Sequence, residues 1–94
     1  MLKYKLTKQA LDFLKKIPAK HAKQIIEKIE KLATNPQNID CEQLEGFPHL
    51  KRFKSGEYRV IFRIDEGVLT LFVVRIGKRN DGEVYKHLEN VPHQ

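Results

Sequence analysis

Residues 50–85, LKRFKSGEYRVIFRIDEGVLTLFVVRIGKRNDGEVY, decide the fold. They read as three strands separated by turns. Arg52 and Lys54 are two apart, so on a strand they share one face while Phe53 points to the other. Tyr58, Val60 and Phe62 alternate in the same way with Arg59, Ile61 and Arg63. Asp65-Glu66-Gly67 reads as a tight hairpin turn. The run from Val68 to Ile76 is almost wholly apolar until Arg75, and it ends in Gly77-Lys78-Arg79, with Tyr85 six residues further on. A sheet that carries several arginines and lysines, closed by a basic turn and a tyrosine, predicts a surface for a polyanion.

Working outward from that sheet, the first third of the chain reads as its support. Leu2 to Leu6 alternates as a short strand with Leu2, Tyr4 and Leu6 toward the core. Thr7 is a suitable N-cap for a helix to about Lys16, with Ala10, Leu11, Leu14 and Ile17 as its apolar stripe and Phe13 off the stripe's centre. Pro18 suits the first turn of a second helix. That helix runs to about Ala33 and carries Ala22, Ile25, Ile26, Ile29, Leu32 and Ala33 on one face. Its other face holds Lys20, Lys23, Glu27, Lys28, Glu30 and Lys31. Asn35-Pro36 ends the helical hairpin. Residues 36–49 read as an irregular connection anchored by Leu44 and Phe47. After the turn at Asn80-Asp81-Gly82, residues 83–90 have the makings of a short terminal helix. The expected fold is α+β: an N-terminal strand, then a two-helix hairpin packed on one face of a small twisted antiparallel sheet. Its order is β-α-α-β-β-β plus a short C-terminal helix. The opposite sheet face is left uncovered and curved by the usual twist.

The 94 residues are expected to form one domain, 1–94, with 40% hydrophobic and 32% charged residues. The one cysteine, Cys41, precludes an internal disulfide and completes no zinc motif, which fits a reducing compartment. Neither an N-terminal apolar run nor a stretch of membrane-spanning length is present, so a cytoplasmic location without membrane association is expected. Formal net charge is +6. Residues 1–34 hold nine lysines against three acids, and residues 50–63 hold Lys51, Arg52, Lys54, Arg59 and Arg63 against Glu57 alone. A helix face explains the first group as solvated charge. Like charges crowded on short strands gain nothing from one another, and a phosphate-bearing partner would relieve their repulsion.

Three kinds of chemistry are disfavoured. The glycines at 46, 56, 67, 77 and 82 are too scattered for a phosphate-cradling loop. His21, His49, His87 and His93 are spread along the chain with no clustered carboxylates, so no metal or other cofactor is expected. Cys41 sits in an acidic loop, which works against a thiolate. Arg52, Lys54, Arg59, Arg79 and Tyr85 remain. Cleaving RNA without a metal requires deprotonating a ribose 2′-OH, stabilising charge at phosphorus and protonating the 5′ leaving oxygen. Arginines supply charge and forked geometry for phosphate oxygens. A lysine crowded by arginines is pushed toward its neutral, basic form. A tyrosine can stack on a base or exchange a proton. From spacing alone, a basic binding face without chemistry stands level with this reading.

Two motifs resemble the RelE/ParE superfamily of bacterial toxins, and most closely its RelE-type mRNA interferases. One is Lys51-Arg52-Phe53-Lys54-Ser55-Gly56-Glu57-Tyr58-Arg59-Val60-Ile61; the other is Gly77-Lys78-Arg79 followed by Glu83-Val84-Tyr85. The resemblance covers nearly the whole chain and implies a RelE-like fold. It implies the toxin of a type II toxin–antitoxin system, which enters the A site of the 70S ribosome and cuts mRNA there by 2′-OH attack, leaving a 2′,3′-cyclic phosphate. Carried onto this chain, Arg52 stands where such toxins often have lysine and would hold phosphate, with Lys51 and Lys78 as further substrate-binding cations. Lys54 would be the general base, Arg59 would stabilise the phosphorane, and Arg79 would contact the scissile phosphate and help the leaving group. Tyr85 would stack on the distorted base and is the rival general base. His87, which titrates near neutrality, and Glu57 are further acid–base candidates. The resemblance also implies a cognate antitoxin that covers the basic face, and contacts with ribosomal RNA through the lysines. Two other readings stand beside it: a ParE-like inhibitor of DNA gyrase on the same scaffold, and a non-catalytic basic module that binds RNA or a partner.

Overall fold

The computed structural model describes residues 2–79. The elements in chain order are β1 (Lys3–Leu6), α1 (Lys8–Lys16), α2 (Ala19–Thr34), a 3₁₀ turn (Pro36–Asn38), β2 (Glu42–Leu44), β3 (Phe47–Ser55), β4 (Tyr58–Asp65) and β5 (Thr70–Lys78). The five strands form one sheet in the order β1-β5-β4-β3-β2. The fold is α+β with both described helices on one face, as the sequence predicts; the expected terminal helix over 83–90 lies outside the described residues.

The sheet itself departs from the expected wholly antiparallel arrangement. β1 pairs with β5 in parallel, from Lys3↔Thr70 to Leu6↔Val73, so the sheet is mixed; the other three pairings are antiparallel. The connection expected to be irregular contributes β2, which pairs Glu42↔Arg52 and Gln43↔Lys51. The β4–β5 turn is also longer than Asp65-Glu66-Gly67: Asp65 pairs with Thr70, and Leu69 takes a left-handed φ of 48°.

α1 starts where Thr7 caps it, its hydroxyl accepting from the Ala10 N–H at 3.3 Å. Of the predicted stripe, Ala10 is fully buried but Leu11 is 46% exposed. Phe13 takes the inward role instead, meeting the Tyr58 ring edge-on at 5.9 Å. In α2, Ile25, Ile29, Leu32 and Ala33 are buried at the spacing the sequence shows. Ile25, Ile29 and Leu32 pack on the Phe53, Val60, Phe62, Leu71, Val73 and Ile76 side of the sheet. Each such side chain contributes about 1.5–3 kcal/mol on leaving water. A smaller cluster of Leu50, Ile61 and Val74, with Leu44, Phe47 and Phe72 against it, lies on the other sheet face.

The β3–β4 hairpin closes with Gly56-Glu57 between the paired Ser55 and Tyr58. Gly56 has φ +58°, as the first position of a two-residue type II′ hairpin turn requires. Midway along β4 the ladder slips: Ile61 pairs with Arg75 but Phe62 pairs with Val73. Val74 is therefore an extra residue, a β-bulge. The end of α1 that faces the sheet holds it. Thr7 Oγ1 donates to the Val74 carbonyl at 2.8 Å, and the Gln9 side-chain amide both donates to the Ile76 carbonyl and accepts from its N–H, each at 3.0 Å. Thr7 and Gln9 thus continue, with side chains, the edge that β1 leaves unpaired after Leu6.

Candidate nucleic-acid interface

Residues paired across an antiparallel ladder point to the same face. The register therefore sorts the cations. Arg52 opposes Ile61, and Ile61 opposes Arg75; Lys54 opposes Arg59, and Arg59 opposes Gly77. Ile61 belongs to the apolar cluster away from the helices, so Arg52, Lys54, Arg59 and Arg75 all lie on the helix-free side. Arg79 follows Gly77 by two residues, and its backbone N–H continues the ladder to the Glu57 carbonyl at 2.6 Å. Its side chain is exposed.

Lys51 and Lys78 fall on the other side. Lys51 opposes Phe62 and Lys78 opposes Tyr58, and both partners belong to the helix-side core. For Lys78 the cause is the bulge, which inverts the alternation of everything beyond Val74. Glu57 is exposed at the turn, and its charge and hydrogen bonding act on the Tyr58 hydroxyl, away from Lys54 and Arg59. Tyr85 and His87 lie outside the described residues.

From the acidic loop around Cys41, β2 aims Glu42 into the cation group. Its Oε2 accepts from Arg52 Nη2 at 2.9 Å, and its Oε1 lies 3.9 Å from Lys54 Nζ. The hydrogen bond from Arg52, then the charges of Arg52, Lys54 and Arg59, hold the Glu42 carboxyl below the usual carboxylate range. Arg52 is 27% exposed and Lys54 55%, so one is seated and the other reaches into solvent. Arg59 folds toward the hairpin, donating to the Tyr58 carbonyl at 3.1 Å. Lys28 of α2 donates to the Lys54 carbonyl at 3.0 Å, bracing the strand that carries Lys54 from the helix side. A groove of about 490 Å³ runs beside this group, between the start of β2, Lys28 of α2 and β3.

Arg63 shares the face but not the role. It is 6% exposed, lies 4.3 Å from the Phe72 ring centroid and 3.8 Å from Asp65. Its charge is spent on a stacked, internal arrangement. Cys41 is half-buried, and burial, the larger effect, pushes its thiol upward; Asp40 adds to this while Lys51 opposes it. It is not poised as a nucleophile. On the helix side, His21 Nδ1 lies 2.8 Å from the buried Tyr58 hydroxyl, which gives that histidine a packing role.

Chemically, Arg52, Lys54 and Arg59 can clamp phosphate oxygens, and the Lys54 amine reaches solvent beside them. The Glu42 carboxylate occupies the kind of place that a phosphate oxygen would take.

The chain belongs to the ParE toxin family of type II toxin–antitoxin systems: the family's description, "ParE toxin of type II toxin-antitoxin system, parDE", matches residues 4–82. It is a toxin of the RelE/ParE superfamily. It is 28% identical over 79 residues to the mRNA interferase toxin RelE of Escherichia coli strain K12, a match that covers 82% of each chain. A double-arginine mutant of E. coli RelE in the free state superposes with a TM-score of 0.79 at 23% identity, over 95% of both chains. The RelE–RelB complex of Pyrococcus horikoshii OT3 gives a TM-score of 0.72 at 25% identity, over 84% of this chain and 96% of that one.

Proposed function

We propose that this toxin is a ribosome-dependent endoribonuclease that cuts mRNA in the A site without a metal ion. The observation that carries the reading is the placement of Arg52, Lys54 and Arg59 on one helix-free sheet face, with Arg52 and Lys54 already bridged by the Glu42 carboxylate. The likeness to proteins named mRNA interferase RelE supports it.

In this mechanism Arg52 and Arg59 grip the non-bridging oxygens of the scissile phosphate. A base, Lys54 or Tyr85, takes the proton from the ribose 2′-OH, and the 2′ oxygen attacks phosphorus. Arg59 stabilises the charge that builds on the phosphorane. Arg79 neutralises the departing 5′ oxygen, which takes up a proton from water, while the base later gives its proton back to water. The products are a 2′,3′-cyclic phosphate and a 5′-hydroxyl, so atoms and charge balance without hydrolysis in this step. The surface lysines of α1 and α2 hold ribosomal RNA, and the ribosome positions the message. A cognate antitoxin covers the basic face, in keeping with the RelE–RelB assembly of the archaeal relative. Such a protein acts in the cytoplasm, where its ribosomes are.

Primer extension on a message held in programmed 70S ribosomes tests the proposal. Cuts within the A-site codon that need ribosomes support it. The description of the matching family favours one second reading, inhibition of DNA gyrase. Folded protein that leaves the message intact but blocks gyrase supercoiling would replace the first reading with that one.

A further inference from the structure

We infer that Arg75 is a further phosphate-binding residue of the cation face, holding the RNA backbone on the β5 side of Ile61 while Arg52 holds it on the β3 side. This rests on the RNA reading above and adds a residue to it. Strict alternation along β5 would turn Arg75 inward with Leu71 and Val73. The bulge at Val74 prevents this: Val74 and Arg75 both take the outer face, and Ile76 takes the core. The result is a straight row across four strands, Glu42–Arg52–Ile61–Arg75. Adjacent strands lie about 4.8 Å apart, so two arginine stems stand about 10 Å apart, one on either side of an apolar residue.

The fold invests in this register. Thr7 and Gln9 fix the backbone at Val74 and Ile76 with three hydrogen bonds. Bulges beside functional sites commonly re-aim a side chain in this manner. Arg63, on the same face, is 6% exposed, whereas Arg75 is half-buried. With Arg75 the face offers cations on both sides of Ile61, matching a strand that crosses the sheet rather than a single bound anion. Arg75 binds and orients the message; it has no part in proton transfer.

The test is binding of a fluorescent, fully 2′-O-methylated oligoribonucleotide, which cannot be cut, across a salt series. Wild type, Arg75→Gln, Arg75→Lys and the off-face control Lys51→Gln are compared, with thermal melting to verify folding. Arg75→Ser removes the same charge if the glutamine variant melts early. Each phosphate contact contributes about 0.7 to the slope of log affinity against log salt for a single strand. Arg75→Gln is expected to lose about that much slope, Arg75→Lys to keep it, and Lys51→Gln to keep most of it. Equal slopes for wild type and Arg75→Gln, or an equal loss in Lys51→Gln, would overturn the assignment. Ribosome-dependent cleavage is measured in parallel. A wild type that cuts nothing removes the nuclease reading, and the slopes still decide Arg75.

Discussion

Glu42 and Arg52 are paired across the β2–β3 ladder, and their side chains meet at 2.9 Å on the face that carries Lys54 and Arg59. The carboxylate therefore competes with any phosphate for the same donors. Glu42 is held below its ordinary range. A lowered folded value means that the pair's contribution is complete above the ordinary carboxylate range and is lost as pH falls through the lowered value. At neutral pH the competition is at full strength. Glu42→Gln should tighten oligoribonucleotide binding at pH 7 by a few-fold, since the pair is exposed. Anisotropy titrations check this; weaker binding in the variant would mean that the carboxylate organises the cations instead.

Tyr58 is 3% exposed and hydrogen-bonded to His21. Tyr58→Phe should cost about 1 kcal/mol, read as a fall of roughly 4–8 °C in melting temperature. Burial first, then the negative charge and hydrogen bonding of Glu57, raises the Tyr58 hydroxyl above its usual value. A raised folded value gives stability that is full below the unfolded value and lost as pH rises through the folded one. The gap between wild type and Tyr58→Phe should therefore narrow at strongly alkaline pH in urea titrations. A gap that widens there would contradict the burial account.

Gln9 mimics a strand residue with its side chain, satisfying both backbone groups of Ile76. Gln9→Ala leaves them unpaired in a part-buried edge, at a cost of about 1–3 kcal/mol. Hydrogen exchange at the Ile76 amide should accelerate more than at Val60 in the same variant. Uniform acceleration would show that Gln9 acts on global stability alone.

Gly56 stands in open space, with nothing within 4 Å of an added Cβ, but at φ +58°. Gly56→Ala should therefore destabilise by about 1–2 kcal/mol through backbone conformation alone, a loss that thermal melting would register. A neutral substitution would mean that the turn relaxes into another type.

Much of this was legible in the sequence, and the exceptions have physical reasons. The period-2 run from Tyr58 to Arg63 sets Tyr58, Val60 and Phe62 on one face and Arg59 on the other, and the structure turns the first set toward the helices. The spacing of Ile25, Ile29 and Leu32 placed α2. Leu11 misled because its helical phase borders the buried stripe, where Phe13's larger ring wins the inward position. β2 has three residues, too few to show a period, so Glu42 stayed invisible as a neighbour of Arg52. The parallel pairing of β1 with β5 is non-local and leaves no local mark. Lys78 follows an apolar run whose alternation reads straight through, so the bulge that turns it toward Tyr58 leaves no mark in the sequence. Arg75 was passed over because no glycine or proline announces the bulge at Val74.

The most direct test of the central claim, that one face of the sheet performs the chemistry, is a side-by-side rate measurement. Single-turnover cleavage of a message in programmed ribosomes is followed for Arg52→Ala, Lys54→Ala and Arg59→Ala, and for Lys51→Ala and Lys78→Ala. The register predicts rates down by at least about tenfold for each of the first three, as loss of charge stabilisation or base would give. It predicts rates within about threefold of wild type for the last two, whose charges lie on the other face. Comparable losses in both groups would contradict the account.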